Sequence, residues 1–414
     1  MRNSTPECSV IIPVYNKWEL TENCLRSLKE HSAGHNLEVI VVDNGSSDAT
    51  ATALGTLGTA LFGDRFVQIV FAENRNFGPA CNAGASKAAS SLLFFLNNDT
   101  LLTPGWYAPL AKALLTNEGL GAVGPLLLYE NNTVQHLGVV YGPRNPVHLY
   151  RGFRRDHPVV GKRRRLQAIT GAAFLVRAEI FHACGGFFEE YRNGFEDIEL
   201  CCRIYSRGLA MTCVPESLVY HLESQTPGRK ADDTYNSDML NRRCAGLHHI
   251  DQHHQLLKDG FSVALSDMLS FSVLLRPEEE LSLLQQARKL RREGWVQLVQ
   301  DNPLWIKGRE VLAHILEQEG NRHGAMQMYA ELADLEVNLL RILELERFIE
   351  PEANAGLWQE VADRKKDVLL LRRDRSATLD FVRQIKKRCA PSGDSFLQKL
   401  LDAKVAELFP PGVS

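Results

Sequence analysis

Four polar residues close apolar runs in the first hundred positions: Asn16 after "SVIIPVY", Asp43 after "EVIVV", Asn76 beyond "FVQIV" and Asp99 after "SLLFFLNN". Further along, Glu196 and Asp197 follow a Gly-Phe turn, and His221 ends the strand-like run "LVYH". A single Asn or Asp after a strand is an ordinary turn former, because its side chain hydrogen-bonds nearby backbone. A carboxylate at a helix start is likewise explained as a cap favoured by the helix dipole. Strand-end carboxylates such as Asp43 and Asp99 can also hold a nucleotide, through acidic contacts to base or ribose and a metal on the diphosphate. The commoner cradles are missing: no GxGxxG follows a strand, and GxxxxGK[ST] does not occur. A dinucleotide dehydrogenase or a P-loop NTPase would therefore lack its phosphate site.

The elements that must position these groups alternate. "CSVIIPVYN" is a buried strand stopped by Pro13, and "WELTENCLRSLKEHS" spaces Leu20, Cys24, Leu25 and Leu28 along one helical face. "LEVIVVDNGSSDAT" is a second strand breaking into a Gly/Ser turn, with Ser47 or Asp48 placed to cap the next helix. "FVQIVFAENRNFGPACNAGASKAA" adds a third strand, a Gly-rich loop and a helix, and "SLLFFLNND" is the fourth strand. This order predicts an α/β fold with a mostly parallel sheet and helices on both faces. Ligands of such sheets sit at the carboxyl ends of the strands, where Asn16, Asp43, Asn76 and Asp99 would be gathered on one edge.

From about residue 260 the β-branched runs end and Leu, Glu, Arg, Lys and Gln dominate. The expected division is residues 1–260 for the sheet domain and 261–414 for an all-α domain of helical hairpins. In "LAHILEQEGNRHGAMQMYAELADLE", Leu312, Ala313, Leu316, Ala325 and Tyr329 fall at the packing positions of a tetratricopeptide unit, with Gly320 at its turn. No second copy lies 34 residues away on either side. "RRCAGLHHIDQHHQLLKDG" carries four histidines in seven positions, with His249 and His253 one helical turn apart. That spacing suits a metal pair, and a solvated helix face also accounts for it.

Composition narrows the function classes. With 414 residues two cores are natural, and a formal charge of -3 with 23% charged residues gives no sign of a nucleic-acid partner. No apolar run approaches the roughly 18 residues of a membrane span, and the first ten residues lack a signal peptide's apolar segment, so the expected location is the cytoplasm. The nine cysteines are odd in number and lack CxxC spacing, which reads as reduced core thiols. "RGFRRDHPVVGKRRRLQ" holds seven Lys or Arg between Arg151 and Arg165; it is either a solvated loop or a contact for an anionic ligand such as a diphosphate.

The stretches "VIIPVYN", "VIVVDNGSSDAT", "NRNFGPACNAG", "FLNNDTLLTPGW", "TGAAFLVRAEIF", "GGFFEEYRNGFEDIELCCR" and "VPESLVYH" together resemble a family 2 glycosyltransferase of the GT-A fold. They run in the family's order across residues 8 to 226, and the "NND" and "GFEDIEL" motifs are rhamnosyltransferase-like. The resemblance implies metal-dependent, inverting transfer of a hexosyl or deoxyhexosyl group from a nucleotide sugar, a UDP- or dTDP-sugar, to a hydroxyl of a glycan or protein acceptor. Its setting would be cell-surface polysaccharide synthesis or protein O-glycosylation, in the cytoplasm or at the inner face of the membrane.

Carried over by position, Pro13, Tyr15, Asn16, Asp43, Ser46, Asn76, Gly78, Asn82, Asn97, Asn98 and Asp99 would hold the donor. Asp99 and His221 would hold Mg²⁺ or Mn²⁺, and Asp197, beside Glu196, would be the catalytic base. Asn97 stands where many relatives have the first Asp of a DxD motif, Glu199 replaces an expected Asp, and Phe188 replaces an acid after the Gly-Gly-Phe turn. Apart from the resemblance, the C-terminal helices would bind the acceptor or a partner protein, or would only stabilise the transferase. The competing class is a catalytically inactive GT-A scaffold that acts through those helices.

Overall fold

Unbroken runs of Val, Ile and Leu are stable only where both faces of a strand are covered. Three of the four runs at the amino terminus meet that condition, and the third in sequence is a half-buried edge strand. In the computed structural model, which describes residues 5–222, 232–389 and 393–410, they form β1 (Cys8–Val14), β2 (Leu37–Asp43), β3 (Phe66–Val70) and β4 (Leu92–Leu96). The last four positions of the matching stretch, 223–226, lie outside the described residues. The four strands pair in parallel in the order β3-β2-β1-β4, and the register Val14↔Asp43↔Val70 brings the carboxyl ends level. Three helices connect them: α1 (Trp18–His31), α2 (Thr50–Phe62) and α3 (Phe77–Lys87). Cys24, Leu25 and Leu28 of α1 are buried, as the helical spacing predicts. Asp48 does bind at the start of α2, its carboxylate accepting the N–H of Thr50 at 3.0 Å and that of Trp18 at 3.0 Å.

The second half of the sheet is mixed. It contains β5 (Thr100–Leu102), β6 (Leu120–Leu128), β7 (Val134–His136), β10 (Ala173–Arg177) and β11 (Ala210–His221), while β8 (Val139–Tyr141) and β9 (Pro146–His148) pair as a separate ladder. The order continues β4-β10-β6-β11-β5, with β10 antiparallel to both β4 and β6. The 44 residues between β6 and β10 return the chain to the edge where β4 and β6 end, so β10 starts there and runs back. β11 is parallel to β6 and therefore ends at the same edge, with His221 opposite Thr100 of the antiparallel β5. Helices α4 (Tyr107–Leu115), α5 (Ala178–Ala183), α6 (Glu196–Tyr205) and α7 (Asp233–Arg243) complete this part. All nine cysteines are buried and unbridged, and burial pushes the Cys24 thiol up to about 12, as inert core thiols require.

The chain divides into two units, residues 1–140 with 147–248, and residues 141–146 with 249–414. The second unit holds α8 (Gln252–Asp259), the antiparallel pair β12 (Ser262–Leu265) and β13 (Phe271–Leu274), and then eight helices. These are α9 (Pro277–Ala287), α10 (Arg292–Asp301), α11 (Ile306–Gln318), α12 (Arg322–Leu335), α13 (Leu339–Glu346), α14 (Ala355–Arg373), α15 (Arg375–Cys389) and α16 (Ser395–Leu408). The ladder β12–β13 escapes a search for helical periodicity because four residues per strand are too few to show a period of two.

Leu312, Ala313, Leu316, Ala325 and Tyr329 are buried between α11 and α12, Gly320 makes the turn at φ 75°, and Asn321 caps α12 through the Gly324 N–H at 3.0 Å. His248 and His249 precede α8, so the expected helical spacing of His249 and His253 does not occur. Nor is His253 on a solvated face: it is fully buried. No helix among the described residues is long and apolar enough to cross a membrane.

Candidate active site

The loops beyond β1 and β2 are tied together by the polar residues that end those strands. Asn16 has a left-handed backbone, φ 54°, which Asn tolerates. Its N–H donates to Ser46 Oγ at 2.8 Å, and its Oδ1 accepts from the Ser47 N–H at 2.8 Å. Asp43, almost fully buried, accepts the Ser46 N–H at 2.9 Å. Gly45 is obligatory here: its φ is 80°, and a Cβ would lie 2.7 Å from the Glu73 backbone. Asn44, which sequence spacing does not single out, shapes the next loop by donating to Asn74 Oδ1 and Asn76 O, both at 3.0 Å, and accepting from Arg75 N–H.

Asn76 then turns the chain into α3 at φ 68°, Gly78 is buried against the Phe188 carbonyl, Pro13 is half-buried, and Tyr15 is exposed just past β1. Two further expected donor residues are also engaged within the protein. The Asn82 carboxamide bonds both the N–H and the C=O of Phe187, at 2.9 and 2.8 Å, and holds the Gly-Gly-Phe turn. Asn98 donates to Thr21 Oγ1 of α1 at 2.9 Å.

Asp99 and His221, 122 positions apart in sequence, meet. His221 Nε2 is 3.1 Å from Asp99 Oδ1, and Asn97 Nδ2 is 3.4 Å from the same nitrogen. Gln135 on β7 orients the imidazole: its Nε2 donates to the His221 carbonyl at 3.0 Å, so its Oε1, 2.7 Å from Nδ1, must accept a proton there. The Nε2 lone pair is thereby turned toward a carboxylate oxygen. Two electron-rich atoms at that separation are reconciled by a proton or a metal cation between them, and the N/O donor pair, with Nδ1 held by Gln135, fits a divalent ion.

The neighbouring His136 is buried, accepts the Thr170 N–H on Nε2 at 3.2 Å and has Nδ1 2.8 Å from His148 Nδ1. Burial, reinforced by His148 and His221, pushes its imidazole well below the usual 6.5. The folded group stays neutral where the unfolded one takes up a proton. Its contribution to stability is complete above pH 6.5 and is lost as pH falls below that value, at up to about 1.4 kcal/mol per pH unit, until the folded imidazole protonates. His136→Gln, which keeps an acceptor for Thr170, should flatten the fall in urea midpoint between pH 6.5 and 5. An unchanged slope would assign the acid sensitivity to other groups.

The segment leading into β10 links the metal-type pair to α6. The Ala172 carbonyl accepts the Asn97 N–H at 2.9 Å, and the Gly171 N–H donates to Asp197 Oδ2 at 2.6 Å. A Cβ on Gly171 would lie 3.0 Å from that of Asp197. Asp197 is half-buried at the start of α6, which is launched by Phe195 in the left-handed region, φ 71°. That conformation costs a non-glycine residue roughly 1–2 kcal/mol, the kind of strain found where a side chain must be aimed.

Glu196 is buried; the Cys81 thiol is pushed up by its own burial and by the Glu196 charge, which places Glu196 toward α3. Glu199 is also buried and pairs with Arg203 and, at 3.0 Å, with Arg243 of α7. Arg243 in turn lies 3.5 Å over the Phe188 ring. The two positions where the sequence departs from the family pattern on this side, Phe188 and Glu199, are thus both contacts of one residue, Arg243, which the motifs do not reveal. In the basic stretch, Arg154 pairs with Asp156 and Arg163 with Glu216, and Arg164 donates to the carbonyls of Lys162 and Val159. Arg151 also donates to the Tyr129 hydroxyl at 2.5 Å, so at least four of its seven cations are committed within the protein.

Residues 9–181 match the family model "Glycosyl transferase family 2". A Bacillus subtilis protein named uncharacterized glycosyltransferase YfnE is 36% identical over 269 residues, covering 55% of this chain and 67% of that protein. The chain belongs to glycosyl transferase family 2. The O-antigen biosynthesis protein RfbC of Myxococcus xanthus is 30% identical over 247 residues, 56% of this chain and 18% of its own length. Uncharacterized protein y4gI of Sinorhizobium fredii is 30% identical over 253 residues, 58% of this chain and 28% of its own length. The chain therefore spans less than a third of these last two relatives.

Proposed function

We propose that the sheet domain, residues 1–260, transfers a hexosyl or deoxyhexosyl group with inversion from a UDP- or dTDP-sugar to an acceptor hydroxyl. The observation that carries this reading is the Asp99–His221 pair at the sheet edge, 3.1 Å apart, with its imidazole tautomer fixed by Gln135. Asp99 and His221 would hold Mg²⁺ or Mn²⁺, which supplies positive charge for the nucleoside diphosphate as the sugar–phosphate bond breaks.

Pro13, Tyr15, Asn16, Asp43, Ser46, Asn76 and Gly78 line the adjacent strand ends and would bind the nucleotide, with Asn82 and Asn98 shaping the loops behind them. Asp197 accepts the acceptor's hydroxyl proton while that oxygen attacks the anomeric carbon from the face opposite the leaving group. Its Oδ2 is held by the Gly171 N–H and its Oδ1 by the Ile198 N–H at 2.8 Å, bonds that fix the direction of the carboxylate. Glu196, buried next to it, would support the helix start.

A glycan acceptor in cell-surface polysaccharide synthesis is supported by the name of the Myxococcus relative; a protein acceptor would use the same proton transfer. The nine unbridged cysteines suit the cytoplasm or the inner face of a membrane. Residues 261–414 are assigned to acceptor or partner-protein recognition. Support comes from the tetratricopeptide-like α11–α12 hairpin and from a groove of about 480 Å³ beside it, which includes His314, Tyr329 and Arg341.

A thermal-shift series with UDP- and dTDP-sugars tests the donor assignment. At a hundred times Kd a true donor adds about 2.7 kcal/mol of stability, which should raise Tm by about 5–10 °C with Mn²⁺ present and by much less without it. No shift with any nucleotide sugar in the presence of Mn²⁺ would remove the donor site.

A further inference from the structure

The second unit contains a cluster that sugar transfer does not use. His253 and His254 open α8, and Asp394 stands just before α16, 141 positions beyond His253. Asp394 divides its oxygens between two tasks. Oδ1 accepts the Leu397 N–H at 3.0 Å and caps α16. Oδ2 faces two imidazoles, with His253 Nε2 at 2.5 Å and His254 Nε2 at 3.3 Å. One ligand atom from each of the three residues lies within 4.8 Å of the others.

His253 and the Asp394 side chain are buried, whereas the His254 side chain is 48% exposed and opens the cluster to solvent. The His253 ring lies between Phe271 and Phe396, and its Nδ1 has no hydrogen-bond partner among the described residues. Burial pushes His253 down to about 4, with His254 adding to the effect, so it is neutral at pH 7. Burial acts upward on Asp394, yet the Leu397 N–H and His253 hold its carboxyl below the usual range. Zinc bound through Nε2 displaces the proton that now bridges His253 and Asp394, and the unpartnered Nδ1 can take it up.

We propose that His253, His254 and Asp394 form a zinc site, binding through Nε2, Nε2 and Oδ2 with the fourth position open to water. Zn–N and Zn–O bonds of about 2.0–2.1 Å place tetrahedral ligand atoms about 3.3 Å apart. The His254–Asp394 separation already has that value, and His253 needs to withdraw by about 0.8 Å. Two imidazoles select a borderline-soft ion over Mg²⁺, which prefers oxygen ligands and several waters. The ion would fasten α8, at the start of the second unit, to α16 at its end.

The test uses the full chain, stripped with chelator and titrated with ZnCl₂ in excess Mg²⁺, with bound zinc counted after desalting. His254→Ala and Asp394→Asn should each bind one zinc fewer than the wild type, and His221→Ala should retain that zinc. Zinc at a hundred times Kd should raise the wild-type Tm by about 5–10 °C, and the rise should vanish in His254→Ala. His254 is half-exposed, so that variant keeps the fold, and Asp394→Asn keeps an oxygen for the Leu397 cap. Equal zinc content and equal Tm rise in wild type and both variants would overturn the site and leave a buried hydrogen-bonded trio.

Discussion

Asp197→Asn should lower sugar transfer by about a hundredfold or more while leaving donor affinity nearly unchanged. The side chain keeps its size, and an amide oxygen can still accept from the Gly171 or the Ile198 N–H, the two bonds that hold the carboxylate. Proton affinity is what it loses. A positioned carboxylate contributes roughly 10²- to 10⁴-fold to deprotonating an attacking hydroxyl, and that contribution exists only in the transition state. The measurement is kcat for transfer beside the donor Kd from calorimetry, with Tm as a control for the weakened Gly171 bond. Near-normal transfer would reduce Asp197 to a helix cap, and a matching collapse of donor affinity would make it a ligand-binding residue.

Removing either member of the Asp99–His221 pair should weaken Mn²⁺-dependent donor binding by at least tenfold. The loss should largely disappear when metal is omitted, because the remaining contacts to the nucleotide come from other strand ends. Gln135→Met is the sharper probe. It leaves both ligand atoms in place and removes the 2.7 Å bond to Nδ1 that fixes the tautomer, together with the 3.0 Å bond to the His221 carbonyl. Loss of an orienting partner typically costs 10- to 100-fold in metal affinity. Metal titrations of the three variants should therefore rank His221→Ala and Asp99→Ala as most damaged and Gln135→Met as intermediate. An unaltered metal dependence in His221→Ala would leave the histidine a purely structural role.

The parallel half of the sheet was legible because β1, β2 and β4 are continuous apolar runs, which have one solution: burial on both faces. Strand β10 was not read as a strand, since "AFLVR" is four apolar residues and a cation and shows neither a period of two nor its partners. Gln135 and His136 were missed because β7 is three residues long and pairs with β6 at an irregular register. Arg243 was missed because its partners, Phe188 and Glu199, lie more than forty positions away. His253 is the clearest failure of local reasoning. Four histidines in seven positions look like a wetted surface, and the carboxylate that draws one of them inside is 141 residues on. Asn82 and Asn98 fall within motif positions, and their side chains bond the Gly-Gly-Phe turn and Thr21, which the motif spacing does not show.

The hand-over at Gly171 and Ala172 bears on how such a chain can diverge. One peptide carbonyl fixes the loop of the metal-type pair, and the N–H one residue earlier fixes the carboxylate across from it. On the proposed mechanism, the interval between departing phosphate and attacking oxygen would be measured out in main-chain units, independent of most side chains. Loops that choose the sugar or the acceptor can exchange residues freely on either side of this ruler. A gained or lost residue between Thr170 and Ala173 would change the interval itself, so natural variants should differ there in kind, never in length.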